Sequence, residues 1–148
     1  MIIDVWSDVV CPWCFIGKKR LEKALEGFEH KEQITIRHRL LLWAETIGKQ
    51  DELLTAMYSG YFENSKPVFS HPDLCAIAES IGINPVEAMN VLESAEFTDE
   101  VIADRNLADQ LGASGVPFFV IDMKYGISGA QPLEHFVETI NAAWNEKD

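Results

Sequence analysis

Three things are scarce in this sequence of 148 residues. It holds only 3 cysteines, an odd number, so a framework of structural disulfides is not expected. It holds 12 basic residues against 24 acidic ones, a net charge of −12. Nucleic acid and anionic membranes repel such a surface, which argues against both as partners. No apolar run is long enough to span a bilayer. The N-terminal MIIDVWSDVV lacks the basic and apolar regions of a signal peptide and carries Asp4 and Asp8 instead. The expectation is one soluble domain in the cytoplasm, 47% hydrophobic and long enough for a single substantial core.

What is present is a hydrophobic pattern whose period changes along the chain. IIDVW (2–6) alternates and is β-branched, as a strand requires. Leu21, Ala24, Leu25 and Phe28 then recur at helical spacing, with Lys18, Lys19, Glu22 and Glu26 assigned to the opposite face. ITIRH (34–38) has strand character, and a strand–helix–strand order makes the first two strands parallel with a right-handed crossover. The middle is helical. Gly48 closes the helix of Leu40, Ala44 and Ile47; Asp51 and Asn84 are candidate N-caps; Pro72 and Pro85 sit in first turns; Thr98 starts a helix that Gly112 ends. GVPFFVID (115–122) is an apolar strand with Pro117 at its start, MKYGISG (123–129) is a turn and antiparallel partner, and QPLEHFVETINAAW is a closing helix.

Cys11 and Cys14 stand two residues apart where the first strand gives way to the first helix. Structural zinc needs four ligands, but a second CxxC is absent, and Cys75, His30, His38, His71 and His135 are scattered. Haem attachment needs histidine directly after the second cysteine, where Phe15 stands. Simple burial as small core residues stays open. The favoured reading is a dithiol–disulfide pair. Cys11 falls near a helix N-terminus, where unpaired N–H groups and the helix dipole favour a thiolate. Pro12 suits a helix start, and the spacer brings both sulfurs into one turn, so that Cys11 attacks a substrate disulfide and Cys14 resolves the intermediate.

The order β-α-β, helices, β-β-α makes an α/β protein of thioredoxin-like arrangement, with a mixed four-stranded sheet and a helical insertion between the βαβ and ββα halves. The expected core is 1–38 with 113–148, and the insertion is 39–112. In that arrangement the strand facing the CxxC begins after a cis-proline, which places one at Val116–Pro117.

DVVCPWCFIGKKRLEKAL, HRLLLWAETIGKQDELLTAMYSGYF, GVPFFVIDMKYGISGAQP and the closing helix resemble the DsbA-like thioredoxin superfamily, in particular its intracellular FrnE-type oxidoreductases. The resemblance covers nearly the whole chain. It implies disulfide exchange at Cys11 and Cys14 with a thiol or disulfide substrate, protein or small molecule. It implies a cis-proline at Pro117 and a substrate-binding set of Pro12, Trp13, Gly115, Val116 and Pro117, in which Gly115 and Val116 offer backbone groups. It implies no cofactor beyond the redox pair itself, with glutathione as a possible co-substrate. Related branches, the kappa-class glutathione transferases and 2-hydroxychromene-2-carboxylate isomerases, carry serine at the position corresponding to Cys11, so the two cysteines favour redox exchange. A chaperone-like peptide-binding module is a further alternative. Nothing in the sequence signals an oligomeric state.

Other residues carry weaker expectations. Asp4 and Asp8 are assigned to turn or surface roles rather than to tuning Cys14, Cys75 to helix packing, His71 to a helix start and Gln131 to a loop or cap. The stretch ITIRHRLLLWAE passes from strand to helix without a turn residue, and FrnE-type proteins carry an extra segment there. A segment is therefore expected to be missing near Arg37–His38, the alternative being a naturally compact variant that enters its helix directly.

Overall fold

The computed structural model describes residues 1–28 and 39–146. The strand expected at 34–38 and the Arg37–His38 join lie outside the described residues. The chain divides into two compact units, Met1–Ile36 with Leu107–Asp148 and Arg37–Asn106.

The first unit is built on β1 (Ile3–Trp6), β2 (Phe118–Ile121) and β3 (Tyr125–Ser128). Among the described residues these form a three-stranded sheet in the order β1-β2-β3. Both pairings are antiparallel, with Ile3 opposite Ile121 and Phe119 opposite Ile127. The expected mixed four-stranded sheet is corrected to this extent: its parallel pair required the 34–38 strand. Every residue of β1 and β2 is buried, because both faces of the sheet are covered. On one face Ile3, Val5, Phe119, Ile121 and Ile127 pack with Leu21, Ala24 and Leu25 of α1 (Pro12–Glu26) and Phe136, Ile140 and Ala143 of α7 (Leu133–Asn145). Trp6, Phe118 and Val120 meet Ala108 on the other. Strand alternation thus produces two separate apolar clusters from one sheet. Phe119 and Phe136 meet edge to face at 5.0 Å, an arrangement worth about 0.5–1.5 kcal/mol beyond simple burial.

Two expectations about charged residues fail here. Asp4 is not at the surface but is only 6% exposed within β1. Lys18 is not on the solvent face of α1: it is 6% exposed and paired with Glu22 one turn on. A lysine can bury its aliphatic stem while its ammonium reaches a partner, which periodicity alone does not reveal. The β2–β3 connection turns through Asp122 and Met123, both in left-handed backbone (φ 47° and 57°). Asp122 is tied down there, its N–H donating to Ile2 O at 2.9 Å and its carboxylate accepting from Ile2 N at 2.6 Å.

The second unit is helical. It contains α2 (Arg39–Thr46), α3 (Gln50–Tyr58), α4 (His71–Ser80), α5 (Pro85–Glu93) and most of α6 (Thr98–Gln110). Gly48, Gly82 and Gly112 follow α2, α4 and α6 with φ of 68°, 78° and 85°, the left-handed backbone that a helix C-terminus asks of glycine. Asn84 caps α5 by accepting from Val86 N at 2.9 Å. The cap of α3 is Lys49, not Asp51, which lies in the first turn where its charge suits the helix dipole. Ser70 and Asp73 form a capping box at α4, with His71 and Pro72 in its first turn. Cys75 is buried on that helix, as expected of a packing residue.

Candidate functional site

Cys11 is the N-cap of α1, with extended backbone (φ −86°, ψ 115°), and Pro12 opens the helix. Its carbonyl accepts from Cys14 N at 3.0 Å and Phe15 N at 3.2 Å. This first turn sets the two cysteines to different depths. Cys11 is half-buried and open to solvent, whereas Cys14 is 1% exposed. All three cysteines are unbridged thiols.

Burial pushes the Cys14 thiol up to about 11, and the adjacent Cys11 side chain adds to the rise. Two groups act the other way: the backbone of Asp8 and the hydroxyl of Ser7 both hydrogen-bond to Cys14. The Asp8 N–H donates to Cys14 Sγ at 3.3 Å. The turn that aims this donor is held twice. The Asp8 carboxylate accepts from Val10 N at 3.0 Å, and the Asp8 carbonyl accepts from Cys11 N at 3.1 Å. Asp8 therefore does make a turn, while it is its main chain that touches Cys14. Sequence reading missed Ser7; the only available signal was a hydroxyl residue seven positions before a candidate resolving thiol.

The Val116–Pro117 peptide bond is cis. Cys11 Sγ lies 4.0 Å from Val116 O. Gly115 and Val116 are exposed, whereas Pro117 is buried. Pro117 packs against α1 at Gly17, where an added Cβ would stand 3.1 Å from Pro117 Cγ and 3.0 Å from Phe119 Cζ. Glycine in mid-helix is costly by propensity, so its value here is the close approach it permits. Sequence reading passed over Gly17, although an isolated glycine inside a helical pattern is the usual mark of such contact. From Pro117 the contacts continue into the loop before α7. Gly129 N–H donates to Pro117 O at 2.8 Å, and the Arg20 guanidinium donates to the carbonyls of Ala130 and Gln131. Gln131 has a loop role, its amide donating to Ser128 O at 2.9 Å.

Of the sequence-derived set, Cys11, Cys14, Val116 and Pro117 come together at the N-terminus of α1. Pro12 and Trp13 are exposed on the same turn, Trp13 by 59%. Cys75 belongs to the helical unit. No group of metal-ligating side chains occurs among the described residues. The arrangement pairs an accessible thiol with a second, proton-holding thiol one turn deeper, beside the Val116 backbone carbonyl. That is the equipment for two successive sulfur displacements.

A family model described as a DsbA-like thioredoxin domain matches residues 2–39 and 28–141. No curated protein matches the sequence. Among solved structures, a probable DsbA oxidoreductase from Streptomyces coelicolor is 32% identical with a TM-score of 0.92, over 100% of this chain and 92% of its own. The oxidoreductase DsbA from Xylella fastidiosa shares the fold at 17% identity, TM-score 0.79, over 99% of this chain and 86% of its own. So does a Proteus mirabilis DsbA variant with a non-covalently bound peptide, at 17% identity, TM-score 0.72, over 97% and 87%. The chain belongs to the DsbA-like thioredoxin-domain family.

Proposed function

We propose that the chain is a thiol–disulfide oxidoreductase of the FrnE-type branch, working in the cytoplasm, with Cys11 as nucleophile and Cys14 as resolving thiol. The Cys11 thiolate attacks one sulfur of a substrate disulfide. The substrate S–S bond breaks, and its other sulfur leaves with the electron pair and takes up a proton. Cys14 then gives its proton to solvent and attacks Cys11 Sγ, expelling the second substrate thiol. The protein dithiol is oxidised to a Cys11–Cys14 disulfide and one substrate disulfide is reduced to two thiols. The oxidised protein runs the same steps backwards on a substrate dithiol.

The single observation that carries this reading is the difference in depth between two adjacent thiols, 1% exposure for Cys14 against an accessible Cys11 at the helix cap. Substrate lies along Pro12, Trp13, Gly115, Val116 and Pro117. On this reading the carbonyl of Val116, an exposed residue whose oxygen lies 4.0 Å from Cys11 Sγ, accepts a hydrogen bond from an extended substrate backbone. The bound peptide in the Proteus mirabilis relative supports a polypeptide substrate; glutathione is a possible small co-substrate. Residues 1–38 and 113–148 form the thioredoxin core on this reading and 39–112 the insertion. Equilibration of the reduced protein with glutathione and its disulfide tests it. A loss of two hydrogens, mapped to a Cys11–Cys14 bridge, is expected; a protein that stays reduced at every ratio would refute it.

A further inference from the structure

Helix α1 carries Lys18, Lys19, Arg20 and Lys23 against Glu22 and Glu26, a net positive helix in a chain of net charge −12. Three of those cations rim one groove. Its floor is Phe15, Ile16 and Leu133, its rim is Lys19, Arg20 and Lys23, and its volume is about 260 Å³. That is below the roughly 300–1,000 Å³ of sites that enclose a whole small ligand. It suits apolar side chains of a chain laid across it. The Lys19 ammonium lies 5.8 Å from the centre of the Phe15 ring and 3.5 Å from Glu22. Arg20 Nη1 donates to the carbonyls of Ala130 and Gln131, and Arg20 makes no ion pair among the described residues. Lys23 is exposed and makes no ion pair among the described residues.

The groove lies along the helix that Cys11 caps. Cys11, Phe15, Lys19 and Lys23 follow one another at one-turn intervals along α1. The Arg20 contacts join its rim to the 129–131 loop, which is hydrogen-bonded to Pro117.

We propose that this groove docks an acidic polypeptide segment of the substrate, flanking the cysteine that Cys11 attacks. The proposal rests on the disulfide-exchange reading and names its substrate class. The apolar floor asks for an apolar side chain, which glutathione lacks, and the cationic rim asks for carboxylates. Helix rise puts Phe15 about 6 Å, Lys19 about 12 Å and Lys23 about 18 Å beyond Cys11. An extended chain advances about 3.3 Å per residue. The favoured substrate therefore has an apolar residue about two positions, and acidic residues about four to five positions, from its cysteine.

The test uses the reduced full chain and synthetic peptides whose single cysteine is held as a disulfide with 2-mercaptoethanol. Each has leucine two positions from cysteine and either two glutamates or two lysines at positions four and five, built on the N-terminal side in one series and the C-terminal side in another. Bis(2-hydroxyethyl) disulfide reports exchange alone. In one series the glutamate peptide is expected to react about tenfold faster than the lysine peptide, with the ratio shrinking as salt rises. The double variant Lys19→Glu, Lys23→Glu is expected to reverse that ratio. Exchange with the neutral disulfide but equal rates for both peptides in both series would overturn the docking proposal. So would a glutamate preference that survives the charge reversal. No exchange even with the neutral disulfide would overturn the oxidoreductase reading, and docking with it.

Discussion

The backbone N–H of Asp8 donates to Cys14 Sγ at 3.3 Å. A main-chain donor thus faces the sulfur that burial holds protonated up to about pH 11. Resolution of a mixed disulfide needs that sulfur as a thiolate, and a donor aimed at it lowers the cost of forming the charge. The donor is main-chain, and its aim is set by the hydrogen bonds that the Asp8 carboxylate and carbonyl make with Val10 and Cys11. Ser7 supplies a second donor to the same sulfur.

Ser7→Ala removes that second donor and leaves the turn in place. The Cys14 thiol is then expected to titrate above its present position, and resolution to slow about fivefold, the worth of roughly one hydrogen bond. Quenched-flow sampling with mass spectrometry checks it: the Cys11 mixed disulfide should live longer than in the unchanged protein. An unaltered lifetime would remove Ser7 from the mechanism.

Gly17→Ala sets two effects against each other. Alanine gains up to about 1 kcal/mol of helix propensity. Its Cβ, however, would stand 3.0 Å from Phe119 Cζ and 3.1 Å from Pro117 Cγ, both on buried side chains. Overpacking of that kind costs about 1–3 kcal/mol, so a net loss of stability is expected, with Gly17→Val losing more. Urea unfolding measures both, and a stabilised Gly17→Ala protein would mean that Pro117 and Phe119 retreat freely.

The raised Cys14 pKa gives a pH dependence with a definite sign. The folded reduced protein holds the proton more tightly than the unfolded chain does. The stability this contributes is complete below the ordinary thiol value of about 9. It is lost as pH climbs from there to about 11. Comparing reduced wild type with Cys14→Ala by urea unfolding at neutral pH and at pH 10.5 should show a stability difference that shifts against the wild type at high pH. A difference independent of pH would contradict the burial of that thiol.

Cys75→Ala should leave disulfide exchange in place while costing stability, since this thiol is buried on α4. Single-turnover exchange and thermal unfolding separate the two effects. Loss of exchange would bring a third thiol into the mechanism.

Much of this was legible because local chemistry and global fold agree. CPWC at a strand-to-helix junction, alternating apolar residues in β1 and β2, glycines at three helix ends and Asn84 before Pro85 each have a direct physical reading. Other features depend on tertiary distance. Lys18 looked solvent-facing because periodicity counts charge and ignores where a long side chain ends. Asp4 looked like a surface acid because the covering of the second sheet face cannot be seen in a four-residue strand. Gly17 and Ser7 acquire meaning only when Pro117 and Cys14 are brought beside them, from 100 residues and from seven residues away. Lys49 took the cap expected of Asp51 because the dipole favours an acid inside the first turn as well as before it.

The division of labour between the two thiols is tested most directly by trapping. Cys14→Ser and Cys11→Ser proteins, reduced and mixed with a disulfide-bonded peptide, are digested and mapped by mass spectrometry. Cys14→Ser should accumulate one peptide adduct, on Cys11, that lacks the means to resolve, while Cys11→Ser forms none at a comparable rate because its remaining site thiol is 1% exposed. Adducts on Cys14 in the Cys11→Ser protein at the wild-type rate would contradict the account.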